Sequence, residues 1–456
     1  MQKLLFIIVL IMLFFTLAGC ASEPSTEPAE APETEPDYSW FSMPEETNEL
    51  IIYTPGSTYS SVMIPALEVF KELYPEIEVS YQTYDTDEYQ SMIRTEVPAG
   101  KGPDLVLLSS ITFPDIYKTM STDIFEDLNP YFGTDEGISL SEFVRPVMDG
   151  GVLNGKRSIV PLNYLMPLML TTESILEECG LTAESLNTCD GFSEGAARFK
   201  ENYPDATLFF DMAQGFAPYL TDIRTLYKNF GFNFIDYEEG TVDIDEARFR
   251  QCMDLVKLYY DPDYDVTDMS KWDISDYSAG GSLPRRLCPY DDYSALNYLD
   301  YKNSCLWLRI AGEEPVLFLQ SNQHDGVTAE MDLCAAIPRS SPNKANAWKL
   351  LKILLSDEIQ GGHDENRRGG SYFWNGFPVR LSSAKSALDR GEDMTPDGPE
   401  FDEFVALIQS PTEALLIPQA YRQFINEEMM PYIRGEKSWE DCWRSFLNTV
   451  ELYKDE

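Results

Sequence analysis

Short apolar runs alternate with helix-spaced apolar positions along the first folded part of the chain. Leu50–Tyr53 and Asp104–Leu108 have the pattern of buried strands, and Ile77–Tyr84 alternates as a strand does. Between them, residues from about Ser60 to Tyr74 and from Asp87 to Val97 place apolar side chains on one helical face. This strand–helix alternation predicts an α/β fold, with a parallel sheet and helices on both of its faces.

The rest of the chain is predicted to mix both element types. Strands are expected at Ser158–Pro161 and Pro167–Thr171, and helices near Glu173–Cys179, Phe192–Glu201, Leu220–Phe230 and Glu246–Tyr260. Two late amphipathic helices are marked by Ala347, Leu350, Leu351, Leu354 and Leu355, and by Trp439, Trp443, Phe446, Leu447 and Val450. With 456 residues, the chain is long enough for two or three domains of roughly 100–200 residues.

Polar side chains follow the predicted strand ends. In a parallel α/β sheet, ligands bind beyond the carboxyl ends of the strands. The candidate ligand-binding residues there are Ser57, Tyr59, Asp85, Ser109 and Ser110. A role in a turn or at a helix N-cap is the alternative for each of them.

The N-terminus has the features of an export signal. Lys3 precedes an apolar run from Leu4 to Phe15, which is too short for a membrane span of about 20 residues. The end, Leu17-Ala18-Gly19-Cys20, resembles a bacterial lipobox, in which the cysteine is lipidated and becomes the mature N-terminus. We therefore expect a signal peptide over 1–19 and acyl chains on Cys20 that anchor the protein to the cell membrane.

The segment after Cys20 is rich in proline and carboxylates. Residues 21–37 contain no apolar side chain larger than alanine, so they cannot bury enough surface to fold. Residues 20–47 are therefore predicted to be the lipidated cysteine and a disordered acidic tether.

Charge and composition exclude several classes of function. The net charge is −43, which repels a phosphate backbone, so no nucleic-acid partner is expected. Only two histidines are present, and the acidic run Asp261–Asp265 lacks the glycine and terminal glutamate of a calcium loop. No metal or cofactor is predicted, and no motif of a nucleophilic hydrolase or a nucleotide-binding enzyme occurs.

Seven cysteines remain after Cys20. They are interpreted as mostly small buried apolar residues with at most one or two bridges, and Cys179/Cys189 is the candidate pair nearest in sequence.

Several ordered motifs resemble the extracellular solute-binding proteins of ABC importers, in particular the sugar-binding group that includes maltose-binding proteins. The motifs are Gly102-Pro103-Asp104 before a strand, Leu128-Asn-Pro-Tyr131, Asn154-Gly155-Lys156 before Val160-Pro161, Thr172–Gly180, Ala347–Gln360 and Tyr432–Glu440. The chain departs from the family at Thr171-Thr172, and Lys271–Leu306 matches no family motif.

The resemblance implies a two-lobed periplasmic-binding-protein-like fold, each lobe a sheet flanked by helices, joined by a hinge. The expected N-terminal lobe comprises 48–156 and about 333–385, and the C-terminal lobe 157–332 and about 386–456. The implied function is a non-catalytic, monomeric receptor on the extracytoplasmic face that closes on a carbohydrate, expected to be an oligosaccharide, and delivers it to the transmembrane subunits of an ABC permease.

The resemblance also implies further ligand-binding residues, since aromatic rings stack on sugars and polar side chains bind hydroxyls. They are Tyr164 after the lobe crossing, Gln214 and Phe216, Trp307 and Arg309 on a strand leading to a glycine loop, Trp374 on a glycine-bounded loop, and Tyr421. Packing in the hinge or the core is the alternative for Tyr164, Trp307 and Tyr421.

Two alternatives stay open. Another solute, such as a peptide or a polyamine, could occupy the cleft, and the acidic surface favours a cation. A glycan-active extracellular enzyme is the alternative from a different class, since 77 acidic residues allow a suitable carboxylate pair.

Overall fold

The computed structural model describes residues 36–56, 59–110, 112–113, 115–204, 208, 228, 230–260, 287–288, 298–310, 312–364, 370–373, 376–388 and 399–455. It separates a unit Met1–Trp40 from a unit Phe41–Glu456, and the elements given below lie in the second unit. In the described part of the chain, no helix is both long and apolar enough to cross a bilayer.

The described strands are β1 Glu49–Pro55, β2 Glu78–Tyr84, β3 Leu105–Leu108, β4 Val152–Leu153, β5 Lys156–Arg157, β6 Val160–Leu165, β7 Leu168–Thr172, β8 Ile235–Asp236, β9 Thr241–Val242, β10 Pro315–Leu319, β11 Thr328–Ala336, β12 His363–Asp364, β13 Gly370–Ser371, β14 Phe377–Pro378 and β15 Glu413–Leu415.

The described α-helices are α1 Ser60–Leu73, α2 Thr86–Glu96, α3 Ile116–Met120, α4 Asn129–Thr134, α5 Arg145–Asp149, α6 Glu173–Cys179, α7 Ala183–Leu186, α8 Cys189–Asn202, α9 Glu246–Tyr259, α10 Tyr298–Ile310, α11 Lys344–Leu354, α12 Asp357–Gln360, α13 Ala384–Leu388, α14 Pro399–Ile408, α15 Gln419–Phe424, α16 Met430–Ile433 and α17 Trp439–Asp455. A π-helix, Ile425–Met429, links α15 to α16.

The first lobe is built on a seven-stranded sheet with the order β14-β6-β11-β3-β1-β2, and β15 pairs with β11. β1 is parallel to β2 and β3, which confirms the parallel arrangement predicted from the alternation of strands and helices. β11 runs antiparallel to both β3 and β6, so the sheet is mixed beyond the predicted part.

The aspartate of the Gly-Pro-Asp motif links β1 to the segment that precedes α11. Asp104 accepts hydrogen bonds from the backbone N–H of Ile51 at 2.7 Å, from Ser341 Oγ at 2.6 Å and from Asn343 Nδ2 at 3.0 Å. Because a buried carboxylate needs several donors, this motif has a structural role here.

Two separate apolar cores define the two lobes. The first core contains Leu50 and most apolar side chains up to Leu170, then those from Ala329 to Leu416, together with three residues of α10. The second core contains side chains from Met169 to Phe318 and from Ile417 to Val450, around the antiparallel pair β7 and β10. The α/β, two-lobed fold class predicted from the sequence is confirmed.

The packing changes lobes at positions that differ from the predicted boundaries. β6 pairs within the first sheet, so the first crossing follows Leu165, whereas the boundary was expected near residue 156. Residues from Phe401 to Leu416 belong to the first core, whereas they were expected in the second lobe. The apolar pattern marks a strand as buried but does not show which sheet it joins.

The seven cysteines after Cys20 are all buried, as interpreted from the sequence. The suggested Cys179/Cys189 bridge is not formed: Cys189 Sγ lies 3.2 Å from the carbonyl oxygen of Ser321, to which it donates.

Candidate functional site

Three strands of the first sheet form the hinge between the lobes. β6 leads into β7 through Met166 and Pro167, β10 leads into β11 through residues 320–327, and β15 ends next to Ile417 of the second core. β11 pairs with both β6 and β15, so the three crossings lie side by side. A hinge of adjacent strands allows the lobes to rotate while each core stays packed.

The carboxyl ends of β1 and β3 bring two predicted ligand-binding residues together. The hydroxyl of Tyr59 donates to Ser109 Oγ at 2.9 Å. Ser109 is itself fixed by Thr112, whose Oγ1 accepts the Ser109 backbone N–H at 2.8 Å. Burial and, more weakly, the charge of Asp332 raise the pKa of Tyr59, while its bond to Ser109 lowers it.

Asp332 lies at a β-bulge of β11 beside this pair. Met331 pairs with Tyr164 and Leu333 with Asn163, so Asp332 is an extra residue without a partner on β6. Asn163 Nδ2 donates to Asp332 Oδ2 at 2.9 Å, and Asn163 Oδ1 accepts the Leu333 N–H at 2.9 Å. Bulges often turn a side chain toward a functional site, and here the bulge presents a carboxylate.

Burial is the main reason why the pKa of Asp332 is raised to about 6; the bond from Asn163 and the charge of Lys228 lower it, and Glu330 raises it. The side chain keeps partial exposure to solvent. We call Tyr59, Ser109, Asn163 and Asp332 the cleft cluster. A half-buried carboxylate of shifted pKa that lies beside the ends of neighbouring strands is a typical feature of a binding site.

An ion pair connects the hinge strand to the second lobe next to this cluster. Lys228 Nζ contacts Glu330 Oε2, and the two side chains are only 12% and 14% exposed. Leu165, Met166 and Ile417 surround the pair and leave a gap of about 10 Å³, which is close to the smallest space that holds a water molecule.

A larger cavity of about 500 Å³ lies elsewhere between the lobes, and no member of the cleft cluster lines it. A Cβ atom added at Gly150, in its wall, would lie 3.0 Å from Met331 Sδ. Because successive residues of a strand point to opposite faces, Met331 faces away from Glu330. We call this space the rear cavity.

Aromatic contacts between the lobes border the rear cavity. Tyr117 of the first lobe stacks on Tyr237 of the second, with ring centroids 5.1 Å apart and planes at 20°. Tyr453 of the second lobe donates to Asp115 of the first, and Lys118 lies 3.7 Å from the centroid of the Tyr453 ring. The lobes are therefore already in contact at the rear.

The other predicted site residues of the first lobe have structural partners. Asp85 is exposed and caps α2 by accepting the Glu88 N–H at 2.9 Å. Tyr164 is fully buried, and its hydroxyl donates to the Ile408 carbonyl at 2.7 Å, so it takes the packing role. Ser110 follows Ser109 in the turn after β3 and is partly exposed.

For the predicted site residues of the second lobe, the structure departs further from the expectations. The strand expected at Trp307 is wrong, because Trp307 lies in α10, and Arg309 of that helix is exposed and paired with Glu314 at 2.9 Å. Tyr421 is fully buried against Phe234, with centroids 4.5 Å apart, so it belongs to the core. Ser57, Gln214, Phe216, Trp374 and Cys20 lie outside the described residues, as do Leu220–Tyr227 and Asp261–Asp265.

Sequence reasoning missed Asn163, Lys228, Glu330 and Asp332. A signal was available for Asn163, because it interrupts the otherwise apolar strand β6. A polar side chain inside a buried strand must find a partner, and Asn163 finds Asp332.

Comparisons with known proteins agree with this geometry. The family model of bacterial extracellular solute-binding proteins matches residues 53–256. No curated protein sequence matches the chain significantly.

Solved structures of sugar-binding proteins have a similar fold. The sugar-binding protein MalE from Xanthomonas citri has a TM-score of 0.63 at 15% identity, covering 89% of this chain and 97% of that one. The GacH receptor of Streptomyces glaucescens, solved with acarbose, has a TM-score of 0.54 at 14% identity, covering 90% and 98%. The cyclic alpha-maltosyl-1,6-maltose binding protein from Arthrobacter globiformis has a TM-score of 0.57 at 13% identity, covering 89% and 98%.

At these identities the structures show the fold, and they are binding proteins. The recognition made from the sequence motifs is therefore confirmed: residues 53–256 match the bacterial extracellular solute-binding proteins, and most of the chain carries the two-lobed fold of their sugar-binding structures.

Proposed function

We propose that this protein is the solute receptor of an ABC importer, tethered outside the cell membrane through lipidated Cys20, and that it binds a carbohydrate between its lobes. It acts without catalysis and presents the loaded, closed form to the permease. A transporter recognises loading in this way only if the solute binds the closed form more tightly than the open form.

The observation that carries this proposal is the position of the cleft cluster. Tyr59 and Ser109 follow the carboxyl ends of the parallel strands, and Asp332 lies beside them on a strand that crosses to the second lobe. A solute held there is within reach of both lobes, so that rotation about the hinge encloses it.

The hydroxyl, amide and carboxylate groups of the cleft cluster suit a sugar. They can donate hydrogen bonds to solute hydroxyls and accept hydrogen bonds from them, in a site with few charges. The similar solved structures are named as binding proteins for sugars or for acarbose, which supports a carbohydrate as the solute. Ser57, Gln214, Phe216 and Trp374 remain proposed contacts on the basis of the sequence resemblance.

Thermal-shift screening of the purified protein tests the solute class. We expect saturable stabilisation by one family of oligosaccharides and none by peptides or polyamines. Stabilisation only by a peptide or a polyamine would replace the carbohydrate proposal, and release of products from a glycan would replace the receptor proposal.

Trp374 provides a sharper test of the sugar contact. We expect Trp374→Ala to abolish sugar-induced stabilisation while the melting temperature without sugar stays nearly unchanged. Trp348→Ala is the contrast, because Trp348 is 3% exposed and its Nε1 donates to Asp135 Oδ2 at 2.8 Å, so this variant should lower the melting temperature itself.

Membrane tethering has a separate test. Wild-type protein should incorporate a labelled fatty acid and sediment with membranes, whereas Cys20→Ser should do neither. Labelling that persists in Cys20→Ser would contradict the lipid anchor and leave the solute proposal unaffected.

A further inference from the structure

The carboxylate of Asp332 carries the charge in the cleft that no described residue neutralises. The nearby cation, Lys228, already contacts Glu330. Within the described residues, Asp332 receives a hydrogen bond from the neutral amide of Asn163 and forms no ion pair. Its other oxygen, Oδ1, is therefore an available acceptor.

The groups around Asp332 leave one surplus negative charge. Glu330 and Lys228 cancel each other, and burial raises the pKa of both Tyr59 and Cys334, so these two side chains are neutral near pH 7. A carboxylate that is partly removed from water and lacks a cation is costly to keep charged. Since the cleft binds a solute, the missing cation is one that the solute can supply.

The local backbone holds this carboxylate in a fixed direction. The β-bulge gives Asp332 no strand partner, and Asn163 is locked because its Oδ1 accepts the Leu333 N–H. The amide must then direct its Nδ2 at Asp332 Oδ2. A preorganised acceptor of this kind selects solutes by the donor that they present.

We propose, on the basis of the proposed function, that the solute is an amino-bearing carbohydrate whose ammonium group binds Asp332 Oδ1. An ammonium neutralises the surplus charge and forms a charge-assisted hydrogen bond, which is stronger than the bond from a neutral hydroxyl. The net charge of −43 also attracts cationic solutes at long range.

Calorimetric titration of the mature, full-length protein tests this proposal with three probes of matched length: trisaccharides of glucosamine, of N-acetylglucosamine and of glucose. We expect the glucosamine trisaccharide to bind at least about tenfold more tightly than the other two at pH 7. The preference should shrink as the pH falls through 6, because protonation removes the charge of Asp332.

Two variants assign the effect to this residue. Asp332→Asn should lose the preference for glucosamine and keep any binding of the neutral sugars. Glu72→Gln, which removes one carboxylate from an exposed position on α1, should keep the full preference. Cooperative melting of both variants without sugar, at or above the wild-type temperature, shows that they are folded.

The outcomes separate the inference from the proposed function. Equal binding of the three sugars, or a preference that survives in Asp332→Asn, overturns the inference while carbohydrate binding stands. Binding of spermidine in place of every sugar overturns both. Failure of the glucosamine trisaccharide to bind also overturns the inference, whatever the neutral sugars do.

Discussion

The two faces of the hinge differ in what they offer a solute. The cleft cluster has a fixed carboxylate and hydroxyl groups close to strand ends. The rear cavity is far larger, about 500 Å³, but it is bordered by rings of the two lobes that already contact each other. The comparison therefore separates two criteria for a binding site: cavity volume favours the rear, whereas polar groups fixed at strand ends favour the cleft.

The rear contacts have a mechanical consequence. Since the two faces lie on opposite sides of β11, a rotation that narrows the cleft must widen the rear. Rear contacts therefore favour the conformation seen here, and solute contacts must outweigh them. Stability and affinity should respond differently to substitutions on the two faces.

The largest expected effect concerns a buried arginine whose partner, Asp149, lines the rear cavity. Arg157 is 1% exposed, and its guanidinium donates to Asp149 at 2.9 Å and to Asn129 at 3.1 Å. Arg157→Ala removes these bonds and leaves a cavity in place of a large buried side chain, so we expect the unfolding free energy to fall by about 3–5 kcal/mol. Chemical denaturation measures this loss.

Arg145 provides the matched control, because it also pairs with Asp149, but the two side chains are 59% and 42% exposed. Arg145→Ala should cost less than about 1 kcal/mol. Equal losses for the two variants would show that burial of Arg157 does not matter.

On the cleft face, Asp332→Asn should stabilise the protein at neutral pH. A carboxyl whose pKa is about 6 when folded and 3.8 in its ordinary state binds protons more strongly in the folded state. The folded state therefore becomes less stable, relative to the unfolded state, as the pH rises from about 4 to above 6. The asparagine variant avoids this loss, which we expect to be roughly 1–3 kcal/mol.

The measurement is the difference in unfolding free energy between Asp332→Asn and wild type at pH 4 and at pH 7.5, in which the titration of other carboxyls largely cancels. The difference should grow with pH. If the variant is less stable than wild type at pH 7.5, the Asp332 carboxylate stabilises the folded state and is not held in place for a solute.

The stacked pair at the rear should affect affinity. Tyr237→Leu removes its stack on Tyr117, an interaction of about 0.5–1.5 kcal/mol, so closing costs less and solute should bind roughly two- to tenfold more tightly. Tyr74→Leu is the control, since Tyr74 contacts Phe70 within one lobe. Weaker binding by Tyr237→Leu would mean that this stack forms in the closed state.

The smallest expected effect is at Asp85, where the cap and ligand roles can be separated. Asp85→Ala removes the N-cap of α2 and should lower the unfolding free energy by about 0.5–1 kcal/mol with no change in affinity. A clear loss of affinity at unchanged stability would restore the ligand role.

Local patterns in the sequence determined the class of fold and several elements. The strand and helix order from Leu50 to Leu108, α6 and the last helix are where periodicity placed them, because each buries one face or a whole strand. The motifs also indicated the family, and the strand ends indicated Tyr59 and Ser109 as neighbours of the cleft.

Only the tertiary structure decided which buried polar groups meet. Asn163 and Asp332 are 169 residues apart, and a bulge of β11 brings them together. It also decided that Tyr164 and Tyr421 serve the cores and that Trp307 lies on a helix. The physical reason is that periodicity reports whether a side chain is buried, whereas its partner depends on strand register and on where the chain changes lobes.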